Sequence, residues 1–225
     1  MNRVIKLVAA IAVVGLSLAG CGSLFPPPQP NSSGIYLLTS PLKTADRQDQ
    51  SRSAQISLGV GPVRLPGYLD RREILTRVAQ SRLDVSQNDR WAEPLDENLA
   101  YVLAQNLSVL LGSDGVISYP WPIAKGPDYR VTVEVLQFEC NSAREAQLSV
   151  RWWVIDRNDT GAAEVKESHL TRAATDRSTD ASVAALSETV ADLSRQIAQA
   201  VIASVKAGKI GRMNSVRSST TFSVS

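Results

Sequence analysis

The residues best placed for covalent chemistry in this chain are two cysteines and a single histidine. Cys21 closes the run Leu18-Ala19-Gly20-Cys21. Ahead of it stand Arg3 and Lys6, then an uncharged apolar stretch from Leu7 to Leu18, then small residues. This is the order of parts in a bacterial lipoprotein export signal. The chemistry it predicts is a thioether between the Cys21 sulfur and a diacylglycerol, cleavage before Cys21, and an N-acyl chain on the freed amine. Several buried acyl chains, at about 0.8 kcal/mol per CH₂, make such an anchor nearly permanent. The apolar stretch is too short to span a bilayer itself, which takes about 20 residues. Residues 1–20 are therefore read as a signal peptide, and the covalent lipid on Cys21 as the only added group; no metal or other cofactor is expected.

The remaining candidates point to no reaction. Cys140 has no intramolecular partner once Cys21 carries lipid, and reads as a small buried hydrophobe. His169 sits in Glu167-Ser168-His169-Leu170, with no Gly-x-Ser-x-Gly elbow in the mature chain to supply a nucleophile. One histidine and one spare cysteine cannot build a Cys/His zinc site. Gly59-Val60-Gly61 is followed by Pro62 and Val63, which breaks a dinucleotide-loop pattern. Asp156, Asp159 and Glu164 look like a turn, and no acidic pair stands out for glycoside chemistry. The chain is read as non-enzymatic.

Charge narrows the partners. The formal charge is +2, and Arg3 and Lys6 account for it, so the mature chain is formally neutral. A phosphate-binding surface needs a basic excess or patch, so nucleic acid is excluded as a partner.

After Cys21 comes a segment with Pro26, Pro27, Pro28 and Pro30 that ends near Gly34. Prolines favour an extended spacer of about 3.1 Å per residue, so residues 21–34 form a tether of up to roughly 40 Å. Gly22, where Asp would favour inner-membrane retention, points to the periplasmic face of the outer membrane.

The elements that follow fit one domain, residues 35–207. Ile35–Leu38 reads as a short strand, and Thr44–Ser53 as a loop. Ile56–Val63 is a second strand, ended by Pro62 and Pro66. Ile74–Val78 and Arg82–Ser86 suit a hairpin, although the first segment also admits a helix. Leu95, Leu99, Val102, Leu103, Leu107 and Leu110 recur at helical spacing after Pro94, with Gly112 as the left-handed cap. Gly115–Tyr119 is a short strand. Tyr129–Cys140 and Gln147–Asp156 read as a hairpin with Val133 opposite Trp152 and Glu134 opposite Arg151. Trp152 and Trp153 must then face opposite ways. Glu164–Ala173 adds a strand. Val183, Leu186, Val190, Leu193, Ile197, Val201 and Val205 make the apolar stripe of a last helix, capped by Asp180 or Ser182 and ended at Gly208. Residues 208–225 are expected to be a disordered tail. The fold class is α+β: a mostly antiparallel or mixed sheet with two main amphipathic helices packed on one face.

Two segments carry a resemblance: Gly61-Pro62-Val63-Arg64-Leu65-Pro66-Gly67-Tyr68-Leu69-Asp70-Arg71-Arg72-Glu73-Ile74, and Arg90-Trp91-Ala92-Glu93-Pro94-Leu95. With the Cys21 motif, Tyr36-Leu37-Leu38, the strand ending in Phe138-Glu139, and Leu193-Ser194-Arg195-Gln196-Ile197-Ala198, the chain resembles the PqiC/YmbA family over roughly Ile35 to Val205. These are auxiliary lipoproteins of ABC-type and MCE-type transport systems. The resemblance implies a periplasmic accessory subunit that docks with an MCE-domain protein at the outer membrane and supports envelope integrity. A ring-shaped homo-oligomer is compatible with that role. Pro66, Tyr68, Asp70, Arg71, Arg72 and Trp91 are the interface candidates. Among them the charged trio is favoured for contact, Tyr68 is as readily a core plug, and Trp91 is more readily a core anchor. The alternative function is a stand-alone lipid-binding carrier, which would need an enclosed apolar cavity.

Overall fold

The structure, a computed structural model, describes residues 33–46, 56–121, 126–157 and 164–220, with the side chains of the last helix described to residue 207. The signal peptide, Cys21 and the tether lie outside the described residues.

Eight strands form one mixed sheet. They are β1 (Ile35–Tyr36), β2 (Leu58–Arg64), β3 (Glu73–Ala79), β4 (Arg82–Trp91), β5 (Val116–Ser118), β6 (Tyr129–Asn141), β7 (Glu145–Asp156) and β8 (Lys166–Ala173). Helix α1 (Leu95–Leu111) follows β4, and α2 (Thr179–Thr220) follows β8. A single 3₁₀ turn, Thr44–Asp46, lies between β1 and β2.

The sheet is organised around β6. One of its edges pairs antiparallel with β7, which in turn pairs with β8. Its other edge is divided. β2 runs parallel to its first half, from Leu58↔Tyr129 to Arg64↔Glu134, and leads on to β5. β3 runs parallel to its far end at Thr76↔Cys140 and leads on to β4 and β1. The chain from Leu65 to Arg72 spans the fork between β2 and β3.

The β6–β7 hairpin has the register read from the sequence, with Val133 opposite Trp152 and Glu134 opposite Arg151. Alternation explains it. Val131, Val133, Val135, Leu148, Val150 and Trp152 are all buried, and Trp153 on the other face is half-buried. A bulge between Val135 and Gln137 then shifts the phase, which brings Phe138 into the core opposite Leu148.

Both helices pack on the sheet and on each other. α1 covers β2 and β5, and α2 covers β6, β7 and β8. Pro94 precedes α1, with Asp96 and Glu97 in its first turn, where carboxylates favour the positive end of the helix dipole. Gly112 takes φ 57°, the left-handed conformation that closes the helix at little steric cost. Arg172 on β8 grips Asp192 on α2 with two hydrogen bonds, at 2.6 and 2.7 Å.

Polar groups also pin the segment after β1 to the helices. The Leu38 N–H donates to Asn98 Oδ1 at 2.8 Å and the Thr39 N–H to Ser187 Oγ at 3.2 Å. The buried Asn106 donates to Ser194 Oγ at 3.0 Å, so it is satisfied rather than orphaned.

Three local expectations are corrected. β2 does not end at Pro62; it passes through it to Arg64. The register shifts between Val60 and Val63, and such a bulge frees the position where proline has no N–H to give. Gly61, at φ 110°, holds the turn of the chain there. The α2 cap is neither Asp180 nor Ser182 but Ser178, whose Oγ accepts the Ala181 N–H at 3.1 Å. Nor does α2 stop at Gly208; its bounds run to Thr220. An interior glycine costs a helix about 1 kcal/mol, and without a following proline it is no obligatory stop.

Candidate functional site

The interface candidates of the sequence converge on the fork in the sheet, and the structure divides them into an inner and an outer set. The Leu69 N–H donates to the Pro66 carbonyl at 2.9 Å, which closes a tight turn over Pro66-Gly67-Tyr68-Leu69. Pro66 is half-buried and Leu69 is buried at 3% exposure. Tyr68 points inward. Its hydroxyl donates to Glu139 Oε2 at 3.0 Å and lies 3.4 Å from the Leu136 carbonyl, on the part of the β6 edge that neither β2 nor β3 pairs.

Glu139 is the residue that sequence reasoning missed. Its side chain is fully buried, and it accepts from Arg77 Nε at 2.6 Å, from Tyr68, and from the Phe138 N–H at 3.1 Å. Three donors compensate the charge, as burial of a carboxylate requires. One signal was available: a glutamate directly between Phe138 and Cys140, both core residues.

Burial, with the Glu139 carboxylate alongside, pushes the Tyr68 hydroxyl up to about 12. The folded protein thus holds this proton more tightly than the unfolded chain, where a tyrosine titrates near 10. The stabilisation is full below pH 10 and is lost as pH rises towards 12. Tyr68→Phe is expected to flatten the fall in Tm over that window; an unchanged fall would contradict the assignment.

The outer set is the charged trio. Asp70, Arg71 and Arg72 are all exposed. Their backbone is nonetheless fixed. The Arg71 N–H donates to the Leu69 carbonyl at 2.8 Å, and the Arg72 carbonyl accepts the Trp91 N–H at 2.7 Å. None of the three makes an ion pair among the described residues. Trp91 is 6% exposed and belongs to the core, so it presents almost nothing to a partner; its backbone holds the loop instead.

The other reactive groups are accounted for locally. Cys140 is buried beside the Ser182 carbonyl, and burial pushes its thiol up, which disfavours the reactive thiolate. His169 is exposed and contacts Ser149 Oγ across the β7–β8 pair at 3.0 Å. Among the described residues no group of three or more His, Cys, Asp or Glu is arranged to hold a metal.

No curated protein matches the chain significantly. Solved structures with the same fold include two that are covered almost completely. One, described as an uncharacterized protein, is 22% identical, covers 76% of this chain and 99% of its own, and superposes with a TM-score of 0.60. The other, a Xanthomonas campestris protein of the DUF330 family, is 16% identical, covers 78% and 99%, and gives 0.62. At such identities the likeness speaks for the fold alone. The family model for the ABC-type transport auxiliary lipoprotein component matches residues 36–198, from β1 through most of the packed part of α2 and across the whole forked sheet. That match spans well over half of the sequence, and the chain belongs to the PqiC/YmbA-type family of ABC-type transport auxiliary lipoproteins.

Proposed function

We propose that this protein is a lipid-anchored periplasmic subunit that docks with an MCE-domain protein of its transport system at the outer membrane and so supports envelope integrity. The observation that carries the reading is the loop at the sheet fork. Leu69 and Tyr68 lock it from below, the Trp91 backbone holds its far end, and Asp70, Arg71 and Arg72 stand exposed on top. Charges on a backbone that is already ordered recognise a partner with little further entropy loss. A tether of up to roughly 40 Å would let the anchored domain reach a fixed partner. In this reading the copies assemble as a homo-oligomeric ring around that partner, and the protein catalyses no reaction.

The carrier reading lacks a matching observation. A cavity of about 1000 Å³ along α1 is an open groove rather than an enclosed apolar pocket. Isolation from crosslinked envelopes in mild detergent, followed by mass spectrometry, tests the choice. Recovery of an MCE protein is the expected result. Phospholipid with no protein partner would overturn the docking reading and favour the carrier.

A further inference from the structure

β5 ends the sheet on the side that α1 covers. Among the described residues it pairs only with β2, so its other side is a free edge. The Gly115 carbonyl accepts the Leu58 N–H, and the Tyr119 N–H donates to the Val60 carbonyl, so both point towards β2. By the alternation of a parallel ladder, the N–H and C=O groups of Val116 and Ser118 point the other way, along the open edge. Such an edge is a template for one more strand. Beside it lies a hollow walled by Tyr101, Gln105 and Ser108 of α1 and floored by β5 itself.

The hollow continues into the groove along α1, and the two share Tyr101, Gln105 and Ser118. Past Ser118 the lining turns apolar: Leu37, Tyr101 and Tyr119 stand there with 45%, 54% and 51% of their surface exposed. Its walls are fixed before anything binds, which lowers the cost of binding. The Leu38 N–H is held by Asn98 Oδ1, and the Tyr119 ring meets Trp121 edge-on with centroids 5.3 Å apart. At the start of α1 the groove is rimmed by Glu93, Asp96 and Glu97, none of which is in an ion pair among the described residues. From Ser108 back to Asp96 α1 covers about 18 Å, the length of about five or six extended residues.

Charge and backbone together select the occupant. The three carboxylates call for a cation and repel an anionic lipid surface. A bare acyl chain would suit the apolar stretch but would leave the Val116 and Ser118 backbone groups without partners. A polypeptide strand meets every feature at once. Its backbone bonds to the β5 edge, alternate side chains enter the apolar stretch, and a basic residue at one end reaches the carboxylates.

We propose that the β5 edge and the α1 groove bind an extended segment of another protein, about six residues long. The segment has apolar side chains at alternate positions and Lys or Arg at the end that meets Glu93, Asp96 and Glu97. It joins the sheet as a strand beside β5. This surface shares no residue with the Asp70-Arg71-Arg72 loop and stands whether or not that loop meets an MCE protein.

Photocrosslinking in native envelopes tests it, with the exposed Gln105 of the full lipidated chain replaced by benzoylphenylalanine. The expected adduct is one discrete segment of a different protein, with alternating apolar residues next to Lys or Arg. A synthetic peptide of that segment is expected to bind the purified full chain in mild detergent. N-methylation of one alternating set of its amides is expected to weaken binding at least tenfold, and of the other set to leave it nearly unchanged. Glu93→Lys with Glu97→Lys is expected to weaken binding at least tenfold, and a peptide with Glu in place of its basic residues to bind that variant again. Adducts confined to a second copy of this chain or to lipid would overturn the proposal. So would no adduct, a captured segment without basic residues, or binding that neither N-methylation changes.

Discussion

Cys21→Ala, in a chain whose residues 1–20 are replaced by an export signal that is cleaved without lipidation, is expected to move the protein from the membrane fraction almost wholly into the soluble periplasm. Two arguments set the size of the effect. One acyl chain holds a protein only at about 10⁴ M⁻¹, whereas several act almost irreversibly, so loss of the acylated sulfur removes the whole anchor. Among the described residues no helix is long and apolar enough to cross a membrane and substitute for it. Detergent phase partitioning and incorporation of labelled palmitate read the result. Retention of the variant in the detergent phase, or continued labelling, would show that the chain is held by something other than Cys21.

Arg77→Met is expected to cost about 3–5 kcal/mol, the usual penalty for stranding one member of a buried ion pair. Glu139 has no exposed side-chain surface, so water cannot replace the lost guanidinium. Tyr68 and the Phe138 N–H would remain as donors to a carboxylate that has lost its ion-pair partner Arg77. Urea unfolding measures the loss as a lower midpoint at nearly constant slope. Adding Glu139→Gln removes the stranded charge and is expected to recover part of the stability. A single-variant loss below about 1 kcal/mol would place the pair with ordinary surface salt bridges. The same substitution bears on the loop proposed to dock, because Glu139 is where Tyr68 anchors it.

The sequence made legible whatever follows a strong local period. The leucine spacing of α1, the stripe of α2 and the alternation of β6 and β7 each fix which face is buried, and in the hairpin they fix even the cross-strand partners. Features that depend on distant chain segments were not legible. The burial of Glu139 requires Tyr68 and Arg77, some 60 to 70 residues earlier, to arrive at the β6 edge. The division of that edge between β2 and β3 follows from strand order, which periodicity does not encode. Cap choice was ambiguous because Ser178, Asp180 and Ser182 all have capping side chains within one turn. Pro62 misled because a proline that ends an ordinary strand can occupy a bulge. Of the interface candidates, exposure of Asp70, Arg71 and Arg72 matched the expectation for charges beside a rigid loop. Trp91 and Tyr68 turned inward, as large aromatic groups beside an apolar core commonly do.

Docking of the Asp70-Arg71-Arg72 loop on an MCE protein is tested most directly by isolating wild type and Asp70→Lys with Arg71→Glu side by side from crosslinked envelopes. The MCE protein is expected to come with the wild type and to fall at least tenfold with the variant, while the Tm of the two stays within a few degrees because neither side chain is buried. Equal recovery of the MCE protein with both would contradict this docking surface, and recovery with neither would contradict the docking function itself.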